Sequence, residues 1–160
     1  GYLWDKGISE KMFKHAINIA KKNKVKIAMT LSDIFCVNRH KEDFYNLLKN
    51  DLDLLIGNEN EINKLANKKN LLDSINQLKK LNKLIVITRS EKGSMAIKDN
   101  EIINQESAKV DKIIDLTGAG DLFAAGFLKE YLERSDIKKC LMTGSILASK
   151  IIQKLGARLD

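Results

Sequence analysis

Short apolar runs at Val25–Thr30, Asp53–Gly57 and Leu84–Thr88, set among stretches with helical spacing of apolar residues, leave few folds open to this chain. Runs of this length without polar alternation suit strands buried on both faces. The first helix is expected over 9–23, with Met12, Phe13, Ala16, Ile17, Ile19 and Ala20 along one stripe and Ser9 as N-cap. A short helix is expected over 40–50, with Phe44, Leu47 and Leu48 inward. Two more are expected over 59–67 and 70–82, the second carrying Leu71, Leu72, Ile75 and Leu78. Strands alternating with helices imply parallel pairing through right-handed crossovers. The expected class is α/β, a doubly wound, mostly parallel sheet. Ligands of such sheets sit beyond the carboxyl ends of the strands. That directs attention to Leu31–Asp33, Gly57–Glu61, Thr88–Gly93 and Leu116–Asp121.

Past Thr88 the pattern changes. Ser94–Lys98 and Glu101–Ile103 flank Asp99-Asn100, which suits a hairpin turn. Two helices are expected to close the chain, over about 119–133 and 137–154. No linker, repeat or composition break interrupts the 160 residues, so one domain over 1–160 is expected.

Charge invites a nucleic-acid reading, since 28 basic residues outweigh 21 acidic ones to give +7. The distribution argues against it. Arginine is confined to Arg39, Arg89, Arg134 and Arg158, and the lysines are spread along the chain among asparagine and isoleucine. No nucleic-acid partner is therefore expected. Cys36 and Cys140 stand far apart, which excludes a disulfide scaffold and a zinc module. His40 lies four residues from Cys36, but no further ligand is near in sequence, so Cys36 is expected to pack in a loop and Cys140 in the core. No apolar run has the length of a membrane span, and a cytoplasmic setting without a membrane partner is the expectation. The chain opens at Gly1 inside what reads as a structured segment, which suggests truncation at the N-terminus.

The sharpest stretch is Asp115-Leu116-Thr117-Gly118-Ala119-Gly120-Asp121, just ahead of an apolar helix containing Ala124, Ala125 and Gly126. Gly118 and Gly120 would let backbone approach a ligand closely. The first turn of the helix offers unpaired N–H groups at the positive end of the dipole, an arrangement suited to phosphate. A carboxylate at position 121 would repel phosphate unless it has other work, such as taking a proton from an attacking hydroxyl. Read alone, GxGD is equally a tight turn followed by an acid that the helix dipole favours.

TGAGD followed by a small, apolar helix resembles the C-terminal signature of the ribokinase-like (PfkB) carbohydrate and nucleoside kinases. Other segments agree, in order. Asn58 and Glu61, after a strand, look like that family's Asn-x-x-Glu motif. Leu84–Ser94 looks like its strand and nucleotide loop, and Gly144–Ala157 like its terminal helix. Gly1-Tyr2-Leu3-Trp4 and Leu31-Ser32-Asp33 resemble the adenosine kinase-like branch. The resemblance implies a three-layer fold, ATP and Mg²⁺ as cofactors, and a sugar or nucleoside hydroxyl as acceptor. It makes Asp121 the catalytic base and the backbone of Gly118, Ala119 and Gly120 the anion hole. It lays Thr88, Arg89, Ser90, Gly93 and Gly156 along the nucleotide. Asn58 and Glu61 would place Mg²⁺, Glu61 through water. No GxxxxGK[ST] run occurs, so the chain is not a P-loop protein.

Two residues depart from the family pattern. Leu116 stands where threonine is usual, and Ser90 where glycine is common. The sugar-binding glycines and lid strands of an N-terminal part are not in this sequence. The apolar surface they would cover is expected to favour self-association, as in a homodimer. Trp4 and Tyr2 are expected at such an interface or cavity, and His15 at the surface. A nucleotide-binding module without catalysis and a basic nucleic-acid binder are the other function classes the residues allow.

Overall fold

The computed structural model describes residues 1–4 and 8–159, with the side chains of Ile8 and Ser9 outside that description. A 3-10 turn over Tyr2–Trp4 precedes α1 (Ile8–Lys22), β1 (Ala28–Thr30), α2 (Ile34–Asn50), β2 (Leu54–Asn58) and α3 (Glu59–Leu65). There follow α4 (Leu71–Leu78), β3 (Leu84–Thr88), β4 (Ser94–Lys98), β5 (Glu101–Gln105), α5 (Ala119–Leu132) and α6 (Ile137–Ile151). The strands form one five-stranded sheet in the order β1-β2-β3-β4-β5. β1 and β2 pair in parallel, Met29 opposite Leu55. Asp99 and Asn100 both take positive φ (50° and 65°), as a two-residue hairpin turn requires, so β4 and β5 run antiparallel. The class is α/β with a mostly parallel sheet, as the alternation implied.

The chain divides into two compact units. The first comprises Gly1–Ile87 with Ile97–Glu101, and the second Thr88–Ala96 with the residues from Ile102 onward. In the first, the central strands are buried almost end to end: Leu54, Leu55, Ile56, Leu84, Ile85, Val86 and Ile87. Phe44, Leu48, Ile62 and Leu78 complete its core from α2, α3 and α4.

Helix boundaries follow capping chemistry that hydrophobic periodicity does not register. α2 begins at Ile34, not at residue 40, because Asp33 accepts a hydrogen bond from the Cys36 N–H (2.6 Å). The expected start coincides with a kink at His40 (φ −126°, ψ 24°). Cys36 is thereby fully buried on a helix, not in a loop. α1 opens at Ile8, so Ser9 lies within its first turn, its side chain outside the described residues. Of the expected stripe on α1 only Ile17 is buried, whereas Met12 and Ile19 face outward. Its aromatic side serves Trp4, which is 3% exposed, with its ring edge-on to Phe13 (5.2 Å) and Phe44 (6.1 Å). The indole N–H of Trp4 donates to Asp43 Oδ2 (3.2 Å). Trp4 is thus part of a packed cluster, while Tyr2 is exposed.

In the second unit α5 and α6 pack at close range. A Cβ on Gly126 would come within 2.9 Å of the Thr143 carbonyl oxygen, and one on Gly144 within 2.8 Å of that of Phe123. Phe123, Phe127, Cys140 and Leu141 fill the contact, and Cys140 is core as expected. No helix among the described residues is long and apolar enough to cross a membrane.

Candidate active site

Helix α5 begins differently from its neighbours. α2, α3, α4 and α6 are each capped by a carboxylate or amide side chain, from Asp33, Asn58, Asn70 and Asp136. α5 is preceded by Gly118, which offers no side-chain cap. Among the described residues the Ala119 N–H, expected in the anion hole, donates to the Leu116 carbonyl (3.2 Å) and closes the turn instead, whereas the N–H groups of Gly120 and Asp121 have no backbone acceptor. Orphan donors of this kind, at the positive end of a helix, attract an anion. Nothing lies within 4 Å of where a Cβ on Gly120 would stand, so the approach to them is open. Asp121 is exposed, in the first turn.

Gly118 itself is constrained. Its φ of 81° is left-handed, and a Cβ there would lie 3.0 Å from the Ala157 Cβ. The preceding segment is tied down by residues at and beyond the end of α6. The N–H groups of Ile114 and Asp115 both donate to the Ile152 carbonyl (2.8 and 3.2 Å). Asp115 Oδ1 accepts from the Thr117 N–H and Oδ2 from the Gly156 N–H, each at 2.9 Å. These bonds hold the Asp115 carboxyl below its ordinary value, the Thr117 N–H first among the causes. Gly118, Ala119, Gly120, Asp121 and Gly156 are therefore gathered at one end of the second unit. Asp115 and Ala157 belong to the same cluster without having been assigned a role from sequence. An Asp two residues before a turn N–H was the available signal.

The loop after β3 closes on itself. The Arg89 N–H donates to the Gly93 carbonyl (2.8 Å) and the Gly93 N–H returns to Ser90 (3.0 Å). Ser90 has φ of 51°, a left-handed conformation that explains why glycine suits this position. Thr88 and Arg89 are half-buried, Ser90 is exposed, and Gly93 is buried.

Asn58 and Glu61 lie in the first unit and form a reciprocal capping box at α3. The Asn58 N–H donates to Glu61 Oε2 (2.8 Å) and its side-chain amide to Oε1 (2.7 Å). The Glu61 N–H donates to Asn58 Oδ1 (2.9 Å). Glu61 is 5% exposed, and burial pushes its carboxyl above the ordinary value despite the Asn58 N–H. Gly57 makes room for it, since a Cβ there would stand 3.1 Å from Glu61 Oε2 and 2.8 Å from Leu31 Cδ1. Among the described residues no group of three His, Cys, Asp or Glu could hold a metal directly. Each Glu61 oxygen keeps a second lone pair, which fits a hydrated Mg²⁺ reached through water.

Known proteins share this fold. The adenosine kinase of Sinorhizobium meliloti superposes with a TM-score of 0.95 at 32% identity, over 99% of this chain and 49% of that one. A nucleoside kinase of Methanothermobacter thermautotrophicus is 34% identical over 113 residues, 68% of this chain and 34% of the relative. A 5-dehydro-2-deoxygluconokinase of Listeria monocytogenes is 28% identical over 145 residues, 87% of this chain and 45% of the relative. The chain spans half or less of the length of these relatives. The family model of the pfkB carbohydrate kinases matches residues 1–160, from end to end. This chain, with its TGAGD turn and its bare α5 terminus, therefore belongs to the pfkB family of carbohydrate kinases.

Proposed function

We propose that the chain carries the phosphoryl-transfer machinery of an ATP-dependent kinase acting on a sugar or nucleoside hydroxyl. The observation that carries this reading is the start of α5, where uncapped N–H groups, an open glycine and an exposed carboxylate follow one another within four residues. Family membership supports it.

In this reading the Asp121 carboxylate accepts the acceptor's hydroxyl proton as its oxygen attacks the γ-phosphorus of ATP in line. The new O–P bond forms, the bond from the γ-phosphorus to the β-phosphate bridging oxygen breaks, and ADP leaves. The Ala119 N–H stays on the Leu116 carbonyl, while the amides of Gly118 and Gly120 face the charge carried by the transferring group, and such preorganised donors commonly supply the largest share of catalysis. Bound Mg²⁺ supplies charge neutralisation at the phosphate oxygens. Asn58 and Glu61 would hold it, Glu61 through water. Thr88, Arg89, Ser90, Gly93 and Gly156 line the nucleotide. No nucleic acid or membrane takes part.

Asp121→Asn in the complete protein tests the assignment. Turnover falls by about 10²–10⁴-fold, the range for a lost general base, while calorimetry finds Mg-ATP binding retained. Undiminished ADP release, over several sugars and nucleosides, would refute the role of Asp121. Mg-ATP binding without ADP release in the parent protein would reduce the reading to a nucleotide-binding module.

A further inference from the structure

The Asp115 carboxylate is shared between two turns that are far apart in sequence. Oδ1 takes the Thr117 N–H just before α5, and Oδ2 takes the Gly156 N–H beyond α6. The two turns also touch, since a Cβ at position 118 would stand 3.0 Å from the Ala157 Cβ. Further back, the Ile152 carbonyl takes both the Ile114 and Asp115 N–H groups, and the Asp111 N–H donates to Gln153 Oε1 (3.1 Å). The approach to α5 thus rests on the residues just beyond α6, and it ends on one carboxylate. By contrast, the first turn of α5 has no side-chain cap to fix it from within. Apart from the local bond of the Ala119 N–H to the Leu116 carbonyl (3.2 Å), its position is set by the residues that hold Gly118.

From this we infer that Asp115 is a positioning residue, which sets the amides of Gly118 and Gly120 by bridging the Thr117 and Gly156 backbone. The inference rests on the reading of the α5 start as the phosphoryl site. It assigns the carboxylate no contact with substrate. Both of its oxygens are occupied by backbone donors, and an ionised carboxylate can accept both at once where an amide side chain offers a single oxygen. A displacement of about 1 Å in such a site can cost about 10²-fold in rate.

The test compares Asp115→Ala, Asp115→Asn and Asp121→Asn in the complete protein, measuring kcat, acceptor KM and thermal melting. Asp115→Ala lowers kcat by about 10²-fold at unchanged acceptor KM, and Asp115→Asn, which keeps one accepting oxygen, recovers part of it. If Asp115→Ala does not fold, the kcat-against-KM split in Asp115→Asn decides. Full kcat in the Asp115 variants beside an inactive Asp121→Asn overturns this inference and leaves the kinase reading standing. So does a loss that tracks only the unfolded fraction. Full kcat in Asp121→Asn overturns the reading itself.

Discussion

A Cβ at position 93 would stand 2.1 Å from the backbone oxygen of Gln105, so Gly93 packs directly against the end of β5. Its φ of 83° with ψ of −137° is also open essentially to glycine alone. Gly93→Ala is therefore expected to destabilise the protein by at least about 1–3 kcal/mol from the backbone conformation. A lowered denaturant midpoint at unchanged m-value checks this.

Three residues earlier the same loop holds a strained serine. Ser90 sits at φ 51°, a region that disfavours residues with a Cβ by roughly 1–2 kcal/mol. Glycine removes that strain, offset in part by its larger unfolded-state entropy. Ser90→Gly should stabilise by up to about 1 kcal/mol, read as a raised melting temperature. A fall would mean that the serine side chain contributes a contact worth more than the strain.

Glu61 should mark the pH dependence of the first unit. Burial raises its folded pKa above the unfolded value. Such a group adds stability below its unfolded pKa, and that contribution is lost as pH rises through the folded pKa. Glu61→Gln keeps a capping-box side chain while removing the charge. Its melting temperature relative to the parent should rise from acid to neutral pH. A difference constant with pH would contradict the shift.

Glu130 behaves in the opposite sense. Its carboxylate, nearly buried at the end of α5, accepts from Ser135 Oγ (2.7 Å) and pairs with Lys139 (3.0 Å) and Lys129 (3.3 Å). Ser135 first, then Lys139, hold its pKa down at about 2 against an ordinary 4.5. A depressed folded pKa contributes stability above the unfolded value, lost as pH falls through the folded one. Glu130→Gln should be less stable than the parent at neutral pH, and the gap should close between pH 4.5 and about 2. Acid titration by circular dichroism follows both proteins across that window.

The α5–α6 contact tolerates no added methyl. A Cβ on Gly144 would press on the Phe123 carbonyl at 2.8 Å and on its ring at 3.2 Å. Gly144→Ala should cost about 1–3 kcal/mol, the range for overpacking. Unchanged thermal stability would show that the helices separate freely.

Hydrophobic patterning located β2, β3 and the two last helices, because each carries a buried run or stripe of the right period, while the Asp99-Asn100 turn residues located the hairpin, whose β5 has no buried residue. Residue chemistry marked the GxGD turn, since glycines and an acid before an apolar helix are a local signal. Patterning misjudged α2, whose first turn carries Ile34 and Phe35 outward and is started by the Asp33 cap. It overcounted the apolar face of α1 for a related reason: periodicity names residues that share a stripe, and burial depends on what packs against it.

Tertiary structure alone decided three matters at the candidate site. Asn58 and Glu61, three residues apart, could be read as a motif, but that their side chains satisfy one another shows only in the fold. Ser90 departs from a glycine pattern in sequence, and its positive φ gives the departure a physical meaning. Above all, Asp115 meets Gly156 across 41 positions. A hydrogen bond between such distant residues leaves no periodic trace in sequence, because the chain between them, not either residue, determines whether they meet.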